Sequence, residues 1–111
     1  MAYKVLGQSN PSAASSTTLY TVPGSTQTIL SAGGVTVCNR SATPTSFRVN
    51  VDPGGGGDSN EQYYAFDCPI GGNQTLVCPG TPGLSLGAAD LIRVYATLAT
   101  LSFNCTGLEI T

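Results

Sequence analysis

Apolar and polar residues alternate in short runs along this chain, and no stretch shows the three- and four-residue apolar spacing of an amphipathic helix. Phe47, Val49 and Val51, for example, alternate with polar residues and so share one face of an extended strand. Similar runs recur about every ten residues, separated by turn pairs such as Pro23-Gly24. The pattern predicts an all-β chain, folded as a single-domain β-sandwich or jelly roll of about eight antiparallel strands.

The same pattern divides the chain into elements. Residues 1–16 are rich in small and polar side chains, and we expect them to form an N-terminal arm that precedes a sandwich domain at 17–111. Two glycines at 33–34 are expected to separate two strands, and the glycine run 54–57 is expected to form a flexible tip. The predicted strands are 18–22, 26–31, 35–40, 46–51, 62–68, 75–78, 91–97 and 101–105.

The composition excludes several kinds of chemistry. The 111 residues include no His and no Trp, four Lys or Arg and six Asp or Glu, for a net charge of −2. Without an imidazole, one chain has no Ser-His-Asp or Cys-His nucleophile and no histidine ligand for zinc or haem. We therefore predict that the protein is not an enzyme and has neither catalytic residues nor a cofactor. Four cations are also too few to bind a nucleic acid backbone or an anionic membrane, and no stretch is apolar enough to span a bilayer.

Carboxylates flank the glycine run. Asp52, Asp58 and Glu61 lie close in sequence, and such groups bind hard cations such as calcium. Their spacing does not match an EF-hand, and four consecutive glycines form a loop too mobile to fix the positions of ligands. We therefore favour a solvated loop and predict no metal site.

Charged residues make up only 9% of the chain, against about 25% in ordinary soluble domains. Ser, Thr, Asn and Gln take their place between the apolar positions. Charge is depleted where a surface is buried against other subunits, so we favour a protein that its neighbours cover. The alternative is a secreted or glycosylated sandwich, although we see no apolar export signal in MAYKVLGQS at the start of the sequence.

The densest aromatic cluster lies at 63–66. Tyr63 and Tyr64 must point to opposite faces of one strand, so one of them lies outside the core if Phe66 is inside. Tyr20 and Tyr95 are further candidates for this cluster. Exposed aromatic rings are typical of a protein interface. They also suit a shallow carbohydrate-binding groove, which is the alternative.

Four cysteines, at positions 38, 68, 78 and 105, match no zinc-binding spacing. In a reducing cytosol they remain small buried hydrophobic residues. The alternative is a pair of disulfides that form after the protein leaves the reducing cell. In that case we expect Cys68 to face Cys78 across the turn at 71–73, which leaves Cys38 for Cys105.

Five sequence blocks resemble a family of small bacteriophage virion structural proteins. The order of apolar residues from 84 to 110 is also similar to the last strands of tumour-necrosis-factor-like jelly rolls, which are trimers. The glycine run and three of the cysteines depart from the phage pattern. The blocks are LYTVP at 19–23, VCNRS at 37–41, FRV at 47–49, ADLIRVYA at 89–96 and LSFN with GLEIT at 101–111.

The resemblance implies a capsid decoration, or cement, protein that binds the outside of a phage head as a homotrimer. It would be made in the host cytoplasm and located on the virion surface, with the major capsid protein or other virion proteins as partners. The alternatives are a tail, baseplate or fibre component and, more remotely, a carbohydrate-binding module for host attachment. The residues expected at the interface are Tyr63, Tyr64 and Tyr20, together with Gln8, Ser9 and Asn10 of the arm.

Overall fold

The computed structural model describes residues 2–111, which form nine strands and two short 3-10 turns. The prediction of an all-β chain is confirmed. Within these residues, no helix has the length and apolar character needed to cross a membrane. The turns, Pro53–Gly55 and Asn60–Gln62, separate the fourth and fifth strands. The strands are β1 (Lys4–Ser9), β2 (Ser15–Thr21), β3 (Gln27–Asn39), β4 (Thr45–Asp52), β5 (Tyr63–Ile70), β6 (Thr75–Val77), β7 (Ser85–Leu86), β8 (Leu91–Ala96) and β9 (Leu101–Ile110).

The strands form a sandwich of two antiparallel sheets. The five-stranded sheet has the order β1-β9-β3-β6, and β7 also pairs with β3. The four-stranded sheet has the order β2-β8-β4-β5. At one side of the sandwich, β5 is the edge strand of one sheet and β6 is the edge strand of the other, and a turn at 71–74 joins them.

Apolar residues from both sheets fill the space between them. Phe47 of β4 and Phe103 of β9 are fully buried and meet edge to face, with ring centroids 6.1 Å apart. Alternation therefore identified the inner face of β4 correctly. The other buried apolar residues are Leu19, Tyr20, Val22, Leu30, Val35, Val37, Val49, Ala65, Ile70, Cys78, Leu86, Ile92, Val94, Ala96, Leu101 and Cys105.

The N-terminal segment differs from the arm predicted at 1–16. Lys4–Ser9 form β1, an edge strand that pairs with β9. Leu6 packs against the core, and Gly7 lies directly against a backbone oxygen of β2, where a side chain would not fit. Backbone hydrogen bonds to β9 thus hold a segment in which apolar and polar side chains do not alternate. Met1, the first residue of the predicted arm, lies outside the described residues.

The strands predicted at 26–31 and 35–40 form one long strand, β3. Its register against β9 shifts at a bulge that contains Gly34, whose φ of +52° is rarely adopted by residues with a side chain. The buried hydroxyl of Thr81 accepts a hydrogen bond from the backbone N–H of Val35 at 2.9 Å and so secures the end of the bulge. The glycines therefore bend a strand and do not end it.

Candidate interaction surface

An arginine lies between two aromatic rings on the outer face of the four-stranded sheet. The guanidinium carbon of Arg48 is 4.2 Å from the ring centroid of Phe66 and 4.5 Å from that of Tyr95. Its Nε also donates a hydrogen bond to Oδ1 of Asp67 at 2.7 Å. Tyr63 meets the Phe66 ring edge to face, with centroids 5.0 Å apart. We refer to these five residues as the aromatic-arginine cluster.

A bulge in β5 builds this cluster. In the pairing of β4 with β5, two residues, Phe66 and Asp67, oppose Arg48, because β5 carries one extra residue there. Asp67 has a φ of +50° in this bulge, a left-handed conformation that is uncommon for residues other than glycine. The bulge therefore brings a ring and a carboxylate to the same guanidinium. Tyr95 lies directly opposite Arg48 on the other neighbour of β4, which is β8.

The two adjacent tyrosines take different positions, but a bulge breaks the alternation here, and the Phe66 ring lies outside the core on the same face as Tyr63. Tyr63 lies opposite Asn50 and joins the cluster on the outer face. Tyr64 is the extra residue at a second register shift, and it lies over Gly80, where a Cβ would come within 2.8 Å of the ring carbon Cδ2. Phe66 is 57% exposed and Tyr64 is 40% exposed. Two bulges thus place more aromatic surface outside the core than a regular strand would.

A second arginine lies among the carboxylates at the glycine run. Nη1 of Arg93 is 2.7 Å from Oδ1 of Asp58 and 3.1 Å from Oδ2 of Asp52, which is completely buried. Asp52 also accepts a hydrogen bond from the backbone N–H of Gly57 at 2.9 Å, and Nδ2 of Asn50 donates to Asp58 at 2.9 Å. Two of the three carboxylates considered for calcium are therefore partners of a guanidinium. The same contacts tie the end of the glycine run to the sheet.

The polar residues predicted to contact a neighbour, Gln8, Ser9 and Asn10, line a shallow groove on the five-stranded sheet, and we refer to it as the polar groove. Its volume is about 280 Å³. Beside it, Nη2 of Arg40 donates to the side-chain oxygen of Asn10 at 2.9 Å. The residues expected at one interface thus form two separate surfaces, one on each sheet. The residues that line the groove are Gln8, Ser9, Asn10, Ser102, Phe103 and Asn104.

Tyr20, which was predicted at the interface, is buried and links the two sheets. It is only 8% exposed, and its hydroxyl donates to Oε2 of Glu109 at 2.6 Å and lies 2.7 Å from Oγ1 of Thr28. Burial, followed by the hydrogen bond to Glu109, raises the pKa of Tyr20 to about 12. Lys4, at 2.7 Å, and then Tyr20 lower the pKa of the Glu109 carboxyl. The side chain is therefore occupied inside the molecule and is not an interface anchor.

All four cysteines are free thiols, and the register is incompatible with one of the two predicted disulfides. Cys105 lies opposite Val35 and is buried in the core, whereas Cys38 lies opposite Ser102 on the outer face of the same sheet. A disulfide needs both Cβ atoms to point toward each other, so Cys38 does not pair with Cys105. Burial raises the pKa of the Cys105 thiol to about 11.

Most charged side chains in the described residues are paired within the molecule. The one cation without a carboxylate within 4 Å in these residues, Arg40, donates to Asn10 and to the backbone carbonyl of Ala99. The exposed rings therefore lie on a surface with little unpaired charge. The ion pairs are Lys4 with Glu109, Arg48 with Asp67, and Arg93 with both Asp52 and Asp58.

A scan against protein-family models, a search of curated proteins and a search of solved structures each find no match to this chain. Within residues 2–111, no group of three or more potential metal ligands comes together. The aromatic-arginine cluster and the polar groove are therefore the two candidate interaction surfaces. Of the two, the cluster has the more exposed apolar side chain, that of Phe66.

Proposed function

We propose that this chain is a structural protein of a bacteriophage particle, which binds the outside of the head as a trimer and stabilises contacts between capsid subunits. The five sequence blocks that resemble phage virion proteins support the particle as its location. The observation that carries the docking role is the aromatic-arginine cluster, because aromatic residues and Arg are enriched at the centres of protein interfaces.

The cluster has the energetic properties of an interface centre. Phe66 is 57% exposed, and since complete burial of such a side chain contributes about 1.5–3 kcal/mol, covering the part that is still exposed contributes roughly half of that. Arg48 is already held by two rings and by Asp67, so that docking costs it little further conformational freedom. Three copies of such a surface in a trimer would bind a head by avidity, since each added contact forms within an existing complex.

Co-sedimentation with phage heads tests this proposal. The heads are those of the phage whose genome encodes the chain, prepared without the protein, and purified protein is then added. We expect Phe66→Ala to weaken binding by about tenfold or more, because it removes the most exposed ring of the cluster. The matched control is Val77→Ala, which trims a side chain that is 47% exposed on the five-stranded sheet. We expect this control to bind like the unmodified protein.

Two outcomes would contradict the proposal. Equal binding by Phe66→Ala and Val77→Ala would show that the cluster does not dock on the head. A molecular mass by light scattering that corresponds to a monomer would rule out the trimer. Gold-labelled antibody on intact particles separates the positions within the virion. Label on the tail would replace the decoration role with that of a tail, baseplate or fibre component.

A second candidate function, binding of a carbohydrate, is favoured by the polar groove. Its amide and hydroxyl side chains donate and accept hydrogen bonds, which are the contacts that sugar hydroxyl groups need. On a glycan array we expect binding that Asn104→Ala reduces and Phe66→Ala does not, since Phe66 lies on the other sheet. Absence of binding to every glycan would eliminate this candidate.

A further inference from the structure

Two cysteines lie at the sheet edges that are joined at one side of the sandwich, one within β5 and one directly after β6. Cys68 of β5 lies directly opposite Phe47 of β4. Residues directly opposite each other in a sheet point to the same face, so Cys68 faces the interior as the fully buried Phe47 does. Cys78 follows β6 immediately and is also fully buried in the core. The two thiols therefore face the same inter-sheet space from opposite sheets.

One short turn and one packing contact connect the two edges near these cysteines. The turn at 71–74 joins them, and Cys68 lies two residues before the end of β5 while Cys78 lies three residues after the start of β6. The backbone N–H of Cys78 donates to the carbonyl of Val35 at 2.8 Å, which fixes it to the five-stranded sheet. Beyond it, Gly80 packs against the Tyr64 ring of β5. The chain thus brings both cysteines to a similar distance from one short turn.

The environment of Cys78 is consistent with a neighbouring thiol. Burial, followed by the proximity of Cys68, raises the pKa of the Cys78 thiol to about 12. Cys68 is only partly buried, so an oxidant in solution reaches it first.

We propose that Cys68 and Cys78 form a disulfide when the protein leaves a reducing environment, and that this bond fastens the edge of one sheet to the edge of the other. With oxidised glutathione as the oxidant, the Cys68 thiolate attacks one glutathione sulfur, forms a mixed disulfide and releases a glutathione thiolate, which takes up a proton. Cys78 then gives up its proton and attacks the Cys68 sulfur, and the second glutathione leaves as a thiolate that takes up a proton. Two protein thiols and one oxidised glutathione become one protein disulfide and two reduced glutathiones.

The other two cysteines serve as internal controls. Cys38 and Cys105 point to opposite faces of their sheet, and neither shares the inter-sheet edge with Cys68. The proposal concerns only the bond within one chain, so it stands or falls independently of the proposed role in a phage particle.

Peptide mapping after treatment with oxidised glutathione tests the bond. Trypsin cuts after Arg48 and Arg93, so that the peptide 49–93 contains Cys68 and Cys78 and no other cysteine. After denaturation and alkylation, we expect this peptide to be two hydrogens lighter than its reduced form and free of alkylating reagent. Further cleavage with chymotrypsin after Leu76 separates the two cysteines, which then remain linked until a reductant is added.

Variants distinguish this bond from any other. Cys68→Ser and Cys78→Ser should each abolish the linked peptide, whereas Cys38→Ser should leave it unchanged. We also expect oxidation to raise the Tm of the unmodified protein by on the order of 10 °C and to leave the Tm of Cys78→Ser unchanged. Four alkylated cysteines after oxidation, or a linked peptide that includes residue 38 or 105, would overturn the proposal.

Discussion

Among the described residues, Asp52 is the one charged side chain that is buried. Its carboxylate is completely buried in a chain that has only four cations. Oδ2 is held by Arg93 and by the backbone N–H of Gly57, while Oδ1 is buried without a hydrogen-bond partner among the described residues. A buried charge is costly unless it is paired, so the fold at this end of the sheet depends on one guanidinium.

Removal of that guanidinium should therefore be severe. We expect Arg93→Met to lower the free energy of unfolding by about 3–5 kcal/mol, because it leaves Asp52 buried and unpaired. Urea unfolding followed by circular dichroism measures the change. Arg40→Met is the matched control, since Arg40 is exposed and makes only hydrogen bonds to Asn10 and Ala99, and it should cost less than about 1 kcal/mol. Similar losses in both variants would contradict this account of Asp52.

Tyr20 makes stability depend on pH in the alkaline range. Its pKa is raised from about 10 to about 12 in the folded protein, so its contribution is complete below about pH 10 and is lost as the pH rises toward 12. The buried thiols of Cys78 and Cys105, whose pKa values are also raised, act in the same direction. We therefore expect the protein to lose more stability between about pH 9 and about pH 11 than the variant Tyr20→Phe does.

Urea unfolding under reducing conditions at the two pH values gives this comparison directly. The difference between the two proteins isolates Tyr20, because both retain the cysteines. Parallel losses would mean that the phenol titrates in the folded state as it does in water.

At the scale of elements, side-chain alternation predicted most strands but not β1, which backbone hydrogen bonds to β9 hold in place. The inner faces of β4, β8 and β9 follow from residues such as Phe47, Val94 and Phe103, which recur at every second position. Alternation does not identify β1, because Val5 and Leu6 are adjacent and the register against β9 shifts between Val5 and Gly7. It also misses the bulges of β5, since an extra residue reverses the inside-outside pattern beyond it.

The candidate site was predictable only in part for the same reason. The aromatic content of 63–66 is visible in the sequence, and so is a surface poor in charge. The position of Arg48 between two rings depends on the bulge at Phe66 and on a neighbour, Tyr95, that is distant in sequence. Tyr20 was predicted at an interface because the partner of its buried hydroxyl, Glu109, lies at the other end of the chain and is not evident from the sequence.

The close approach of β1 to β2 can be tested with one added methyl group. Gly7 lies against the backbone of Leu19, so Gly7→Ala should lower the free energy of unfolding by about 2 kcal/mol or more. Gly24→Ala is the control, because a Cβ at Gly24 would have no other atom within 4 Å, and it should change stability by less than about 0.5 kcal/mol. If Gly7→Ala and Gly24→Ala had equal stabilities in a thermal melt, residues 1–16 would form a loose arm, as the sequence alone predicted.

The bulge in β5 makes a distinct prediction at Asp67. Both Asp67→Ala and Asp67→Gly remove the ion pair with Arg48, but only Gly adopts the φ of +50° without strain. We expect the Gly variant to be more stable than the Ala variant by about 1 kcal/mol in urea unfolding. In a regular strand the order would be reversed, because Gly is a poor strand residue.

At the scale of the whole molecule, most charged side chains form ion pairs with one another within the fold. Three of the four cations pair with carboxylates of the same chain, so little charge remains to attract a partner over a distance. Association should then depend on shape and on contact between apolar and hydroxyl-rich surfaces.

The dependence of binding on salt checks this view of the surface. Between about 50 mM and about 500 mM salt, we expect the affinity of the protein for phage heads to change by less than about threefold. Co-sedimentation at the two salt concentrations measures it. A fall of an order of magnitude or more would show that unpaired charges, such as Arg40, contribute to docking.

The pairing of β9 with both β1 and β3 also determines when the protein folds during its synthesis. β9 is made after the other eight described strands, and it lies between β1 and β3, which both fall within the first 39 residues. While the ribosome is still adding the preceding residues, β1 has no partner and β3 lacks its longest one. The five-stranded sheet therefore closes only once β9 has left the ribosome, and a chain that stops before residue 101 leaves the edge of β3 that pairs with β9 without a partner.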